Sequence, residues 1–225
     1  WLEGLGYEPG NDLDLGFDNV TVSLATDATN GGLVTAHAES VESGTNGWTA
    51  DGLWHVARDL AYGGTNSWGY NNGTNYSTGA RNSGTLLSPW ISLGSASAAT
   101  LTFKSWYETE DAGTSWDRKQ VYVSADGTNW TRLLQVSGTN QQWVTQSQDL
   151  TAYAGRSIRL KFHFDTIDAL KNGYRGWYLD DIEIKVVEST AAVHFEDDMT
   201  ATTNWTAGGF WRLTTNRSSS ATTSW

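Results

Sequence analysis

The chain has 225 residues, no cysteine, 13 tryptophans and a net charge of −11 at pH 7. That length is ample for a hydrophobic core, and the missing thiols exclude disulfide frameworks, thiolate metal sites and cysteine nucleophiles. With 14 Lys+Arg against 25 Asp+Glu the cation clusters of a nucleic-acid binder are not expected, and the apolar runs are too short for a membrane-spanning helix.

The predicted elements are short strands. Residues 34–41, 53–58 and 85–93 carry the first of them. Leu101-Thr102-Phe103-Lys104-Ser105-Trp106-Tyr107 alternates apolar and polar side chains. Gln120–Ser124 and Trp130–Leu134 read as a hairpin around Asp126-Gly127, because glycine tolerates the positive φ a tight turn needs. A strand over 143–150 leads to one helical turn at Thr151–Ala154. In residues 158–165 the alternation is strict: Ile158, Leu160, Phe162 and Phe164 face inward, and Arg159, Lys161, His163 and Asp165 face water. The last strand spans 177–187. The Gly-Thr-Asn tripeptides at 44–46, 64–66, 73–75, 127–129 and 138–140 are turn-forming and precede no helix. The pattern implies an all-β fold, an antiparallel β-sandwich of the jelly-roll type with flanking strands from adjacent repeats.

The flanks carry an internal repeat. His37, Glu39, Trp48, Gly52, Trp54 and Trp68 recur as His194, Glu196, Trp205, Gly209, Trp211 and Trp225 at one offset of 157 residues. Phe17–Val22 matches Leu179–Ile184 at an offset of 162. This assigns 1–33 to the end of a preceding repeat plus linker, 34–188 to a complete jelly-roll domain, and 189–225 to the start of a following repeat. Strands that cannot bury their apolar face alone should seek a partner, so residues 1–25 and 191–225 are expected to join copies of the chain or adjacent repeats by strand addition. The chain opens at Trp1 and is read as a processed chain or a piece of a larger one.

The run Ser88-Pro89-Trp90-Ile91-Ser92-Leu93, then Leu101–Phe103 leading to Tyr107-Glu108, Ser115-Trp116-Asp117, and Val121–Ser124 with Asp126-Gly127 and Trp130, resembles the MAM-like jelly roll. Variants of that domain are appended to bacterial secreted peptidases and surface proteins, including the immune-inhibitor-A type. The ending Gly176–Ile184 is also similar to the last strand of carbohydrate-binding jelly rolls. The resemblance covers 34–188. Animal forms carry disulfides that this chain lacks, so the bacterial branch is the better match. It implies a secreted or cell-surface location.

Asp180 shares parity with Ile182, Ile184 and Val186, which points it toward the core. A buried unpaired carboxylate is costly, so it needs a bound cation, backbone N–H donors, or Arg175. In jelly rolls of this resemblance a structural Ca²⁺ joins the first and last strands through an early Glu and the Asp of the last strand. The matching residues are Glu39 and Asp180, with Asp181 nearby and Glu196 as the equivalent in the next repeat. Asp12, Asp14 and Asp18 sit in a calcium-loop-like run, but no bidentate Glu follows, and a solvated acidic turn is the simpler account.

No His-Glu-x-x-His or Gly-x-Ser-x-Gly is present, and the chain is expected to be non-enzymatic. Glu108, Glu110, Asp111 and Asp117 read as acidic loop residues rather than a glycosidase pair. Trp54, Trp90, Trp106 and Trp177 lie in strand patterns and are assigned to core packing. Trp68, Tyr70, Tyr76, Trp116 and Trp143 lie in Gly/Asn-rich loops or at strand ends. These five either stack on sugar rings or cap the sandwich. Asn19, Asn72, Asn75, Asn129, Asn204 and Asn216 begin glycosylation sequons. The sequence thus supports an extracellular structural or adhesive β-sandwich repeat, calcium-stabilised and assembling into filaments. The alternative is a carbohydrate-binding module of a secreted hydrolase or peptidase.

Overall fold

A computed structural model describes residues 20–23, 32–110, 113–188 and 194–197. The chain divides into two compact units, one of residues 28–190 and one of residues 1–27 with 191–225.

In the second of these units two strands are described by their backbone, β1 (Val20–Ser23) and β14 (His194–Asp197). They pair antiparallel, with Val20 opposite Asp197 and Ser23 opposite His194. This pairing lies within one chain. Asp12, Asp14, Asp18, Trp205, Trp211 and Trp225, and the side chain of Glu196, lie outside the described residues.

The unit of residues 28–190 holds the remaining strands: β2 (Leu33–Glu39), β3 (Thr49–Ala50), β4 (Trp54–Ala57), β5 (Ser67–Tyr70), β6 (Ser83–Leu87) and β7 (Ile91–Ser92). They continue as β8 (Ala96–Glu108), β9 (Arg118–Ser124), β10 (Thr131–Val136), β11 (Asn140–Asp149), β12 (Ser157–Asp165) and β13 (Gly176–Glu188). A 3₁₀ turn at Thr151–Tyr153 stands where the helical turn is predicted. The first sheet runs β11-β8-β13-β5-β4, with β2 also on β13; the second runs β10-β9-β12-β6-β3, with β7 on β12. All pairings are antiparallel. The fold is a jelly-roll β-sandwich.

The core follows from the alternation. Ile158, Leu160, Phe162 and Phe164 on β12 are fully buried. Phe162 meets Phe103 of the first sheet edge to face at 5.2 Å and Trp177 at 6.1 Å, and Tyr70 stacks on Phe164 at 4.5 Å. Aromatic pairs at these distances add to the area they bury and clamp the two sheets together.

Two expectations change here. The segment Ser67–Tyr70, read from its Gly/Asn surroundings as loop, is a strand pairing both β4 and β13, and all four of its residues are buried. Core packing against Trp54, Trp177 and Phe164 outweighs the local turn signals. Trp90, assigned to the core, is 51% exposed instead, because it lies in the connection between β6 and β7.

Gly176 opens β13 at φ +105°, and a Cβ there would collide with the Tyr70 carbonyl oxygen. Gly176→Ala is expected to lower the unfolding free energy by at least about 2 kcal/mol, through strain and displacement of β5. Urea unfolding checks this, and an unchanged midpoint would refute it.

Candidate functional site

Strand β13 contains the predicted metal residues. Its register shifts between Asp180 and Glu183, and Asp181 takes φ +45°. This bulge inserts one residue and reverses the parity on which the core-facing expectation rests. Trp177, Leu179, Ile182, Ile184 and Val186 all join the main core, while Tyr178 joins a separate cluster with Ala57 and Trp106 on the outer face. Asp180 alternates with Leu179 and therefore shares that outer side with Tyr178.

Asp180 is nonetheless only 1% exposed, because the loop after β4 closes over it. Its Oδ2 accepts the N–H groups of Tyr62 (2.8 Å) and Gly63 (3.1 Å), and its Oδ1 accepts that of Asp181 (2.7 Å). Burial pushes its pKa up, against these bonds. Arg175 pairs with Asp59 at 2.9 Å, not with Asp180. Glu39 lies on β2, opposite Ile182, and its oxygens accept the Val41 N–H (2.6 Å) and the Asn46 amide (3.0 Å). Beside this joint is a groove of about 610 Å³ lined by Glu39, Asn46, Lys104, Thr145, Asp181 and Glu183. Among the described residues no three His, Asp or Glu side chains gather as a metal cluster. The buried charge is balanced by amides. A Ca²⁺ ion would have to use the lone pairs left on Glu39 and on Asp180 Oδ1, with backbone carbonyls completing its shell.

The five predicted sugar-stacking aromatics divide. Trp68, Tyr70 and Tyr76 are 2%, 0% and 0% exposed, so none offers a ring face to a ligand. Tyr76 instead donates its hydroxyl to the buried Asp117, whose pKa burial raises. Trp116 is 39% exposed. Trp143 is half-buried and meets the exposed ring of Tyr62 edge to face at 5.9 Å, with Lys104 Nζ 4.2 Å above that ring. The acidic run has structural partners: Glu108 accepts from Gln141 and Glu110 pairs with Lys171, while Asp111 lies outside the described residues.

A site that sequence reasoning missed lies on the outer face of the second sheet. Directly paired residues point to one side of a sheet. Arg132, Tyr122, Lys161, Leu87 and Thr49 therefore form one row across it, and Gln135, Gln120, His163 and Thr85 the next. Lys161 Nζ stands 4.3 Å over the ring of Trp130 and 4.7 Å over that of Tyr122. Arg159 lies 5.8 Å over Trp90, whose ring packs beside Gly127 in the β9–β10 turn. Gln135 Oε1 accepts from Gln120 (3.0 Å) and Arg132 (2.9 Å), and the Tyr122 hydroxyl donates to Gln120 (2.8 Å). The face thus offers aromatic rings, amides, hydroxyls and cations without an apolar patch. The strict alternation of β12 already turned Arg159 and Lys161 outward; the missing signal was the pairing that gives them aromatic neighbours.

These features define a class: an antiparallel jelly-roll β-sandwich domain. Residues 69–215 match the model of the immune inhibitor A-like MAM domain, and the chain belongs to that family. The domain is an accessory module and not a catalytic one. The chain is 29% identical over 159 residues to Bacillopeptidase F of Bacillus subtilis (strain 168), covering 67% of this chain and 11% of that protein. Its fold is similar to the CBM22-1 xylan-binding domain of Paenibacillus barcinonensis Xyn10C, at 20% identity and TM-score 0.45, over 70% of this chain and 97% of that one. It is similar also to the K3 cleaved adhesin domain of Lys-gingipain from Porphyromonas gingivalis w83, at 17% identity and TM-score 0.46, over 67% and 99%. No helix among the described residues is long and apolar enough to cross a membrane.

Two half-buried histidines give the domain a pH dependence. His163 contacts Thr85 Oγ1 at 3.1 Å, and His37 accepts the Trp48 indole N–H at 3.3 Å. Burial lowers both pKa values below 6.5. For His163 the neighbouring Asp165 and Asp51 oppose that shift and Lys161 adds to it. The unfolded chain therefore takes up protons first, so this stability is present above about pH 6.5 and is lost as pH falls through the folded pKa values. The Tm of the wild type is expected to fall between pH 7 and 5 relative to that of a His37→Gln/His163→Gln double variant. Parallel Tm curves would refute this.

Proposed function

We propose that this chain is an extracellular glycan-binding and adhesive module of a secreted or surface protein, one whose parent chain carries a peptidase. The observation that carries the reading is the outer face of the second sheet. Exposed Trp90 in the β6–β7 connection, half-buried Trp130 in the β9–β10 turn, Tyr122 on β9 and a shared amide network on β9 and β10 lie beside the cations of β12. Sugars are bound by such surfaces because C–H faces stack on rings while hydroxyls exchange hydrogen bonds with amides and charged groups. Membership of a peptidase-associated family supports the setting. Trp116 and Trp143 stand on other elements, Trp143 on β11 of the first sheet, and belong to no part of this face.

Binding to a panel of plant and microbial polysaccharides in affinity electrophoresis is expected for the wild type. Trp90→Ala should weaken it about tenfold or more, since stacking on one ring contributes on the order of 1–3 kcal/mol. Binding to no glycan, with the fold intact by circular dichroism, would refute the reading.

A structural Ca²⁺ at the joint of β2 and β13 is a separate proposal. Glu39 and Asp180 are buried acids on hydrogen-bonded neighbouring strands, and neither forms an ion pair among the described residues. A ligand bound only by the native state raises its stability. EDTA is therefore expected to lower the Tm, with Ca²⁺ restoring it. A Tm indifferent to both would overturn the metal and leave the glycan reading intact.

A further inference from the structure

We infer that the glycan taken by this face is acidic, a polysaccharide bearing carboxylate groups on its sugar rings, and that Arg159 and Lys161 recognise the charge. This rests on the glycan-binding reading above and gives it a substrate class.

The argument begins with where the cations are. The chain carries 25 acids against 14 Lys+Arg, so a cation has acids in excess to choose from. The ion pairs that form are Arg81–Asp165, Lys171–Glu110, Arg175–Asp59 and Lys185–Glu183. Among the described residues Arg159 and Lys161 join no ion pair. They are two residues apart on β12, so they share a face with roughly 6.6 Å between them along the strand. Arg132, in the row of Lys161, is a third cation that forms no ion pair among the described residues.

Each of the two is held by rings in place of carboxylates. Lys161 sits over Trp130 and Tyr122, and Arg159 over Trp90. A ring face attracts a cation without neutralising it. Arg159 also donates Nε–H to the Ser88 carbonyl at 2.9 Å, which orients the guanidinium while its terminal nitrogens keep their donors. Burial lowers the Lys161 pKa, so this ammonium bears a desolvation cost, and it forms no ion pair among the described residues. A ligand carboxylate placed between the two heads would offset it through charge-assisted hydrogen bonds.

A phosphate-rich polyanion fits less well. It needs many clustered cations, and this face carries Arg132, Arg159 and Lys161. One charge per sugar ring asks for few cations, spaced along an aromatic track and flanked by amides for the hydroxyls. Gln120, Gln135 and Tyr122 supply those groups.

The test compares the full chain on polygalacturonate, on neutral xylan and galactan, and on dextran sulfate. Polygalacturonate should bind at least about tenfold tighter than the neutral chains, and its affinity should fall between about 50 and 200 mM salt. Lys161→Gln and Arg159→Gln should each weaken polygalacturonate about tenfold, the scale of one lost charge-assisted hydrogen bond, and change neutral binding less than about twofold. Circular dichroism and Tm verify that both variants fold. Neutral chains bound as tightly as polygalacturonate, or full affinity in both variants, would overturn the charge recognition while the glycan reading stands. Binding to dextran sulfate but not to polygalacturonate would overturn the carboxylate assignment. Binding to none of them would overturn both readings.

Discussion

Strand β13 has to serve three partners, and the rest of the domain is arranged around how it does so. One edge pairs with β8 from Gly176 to Glu188. The other edge is divided between β5, over Trp177–Leu179, and β2, over Ile182–Val187. The bulge at Asp181 is the joint between the two halves. It keeps Trp177 and Leu179 in the same core as Ile182, Ile184 and Val186, though an unbroken strand would turn one group away. It also leaves Asp180 on the outer side, where the amides of Tyr62 and Gly63 cover it.

That joint decides which face of the sandwich is open. The loop held down by Asp180 lies on the outer face of the first sheet, where Tyr178 and Trp106 are buried and Arg175 stands over both rings. On the outer face of the second sheet Trp90 is exposed, and Tyr122, Trp130 and Lys161 are half-buried. Its rings and cations meet solvent, and its polar side chains are linked to one another by Gln135 and Gln120. Cations fixed on rings are oriented in advance, so a ligand does not have to order them.

Much of this was legible in the chain. The alternation of β12 placed four apolar residues in the core and four polar ones outside, and Asp126-Gly127 marked the hairpin of β9 and β10. The buried character of Asp180 was also legible, but not its side of the sheet, because parity counting assumes an unbroken strand and a bulge leaves no strong local signal. Ser67–Tyr70 was missed because its neighbours are turn residues, while its stability comes from Trp54, Trp177 and Phe164 far away in sequence. Trp90 was misplaced for the opposite reason: apolar neighbours suggested a strand where the chain makes a connection.

By itself, then, the sequence determined the all-β class, the jelly-roll family, the inward residues of the regular strands and the absence of thiol chemistry. These depend on local periodicity, turn residues and composition. Only the tertiary structure decided which aromatics are core and which are surface, how the buried carboxylates are satisfied, and which rings the outward cations meet. Most of these depend on segments far apart in sequence coming into register, as Lys161 does with Tyr122 and Leu87. The pairing, rather than the residue type, brings Lys161 beside the ring of Tyr122.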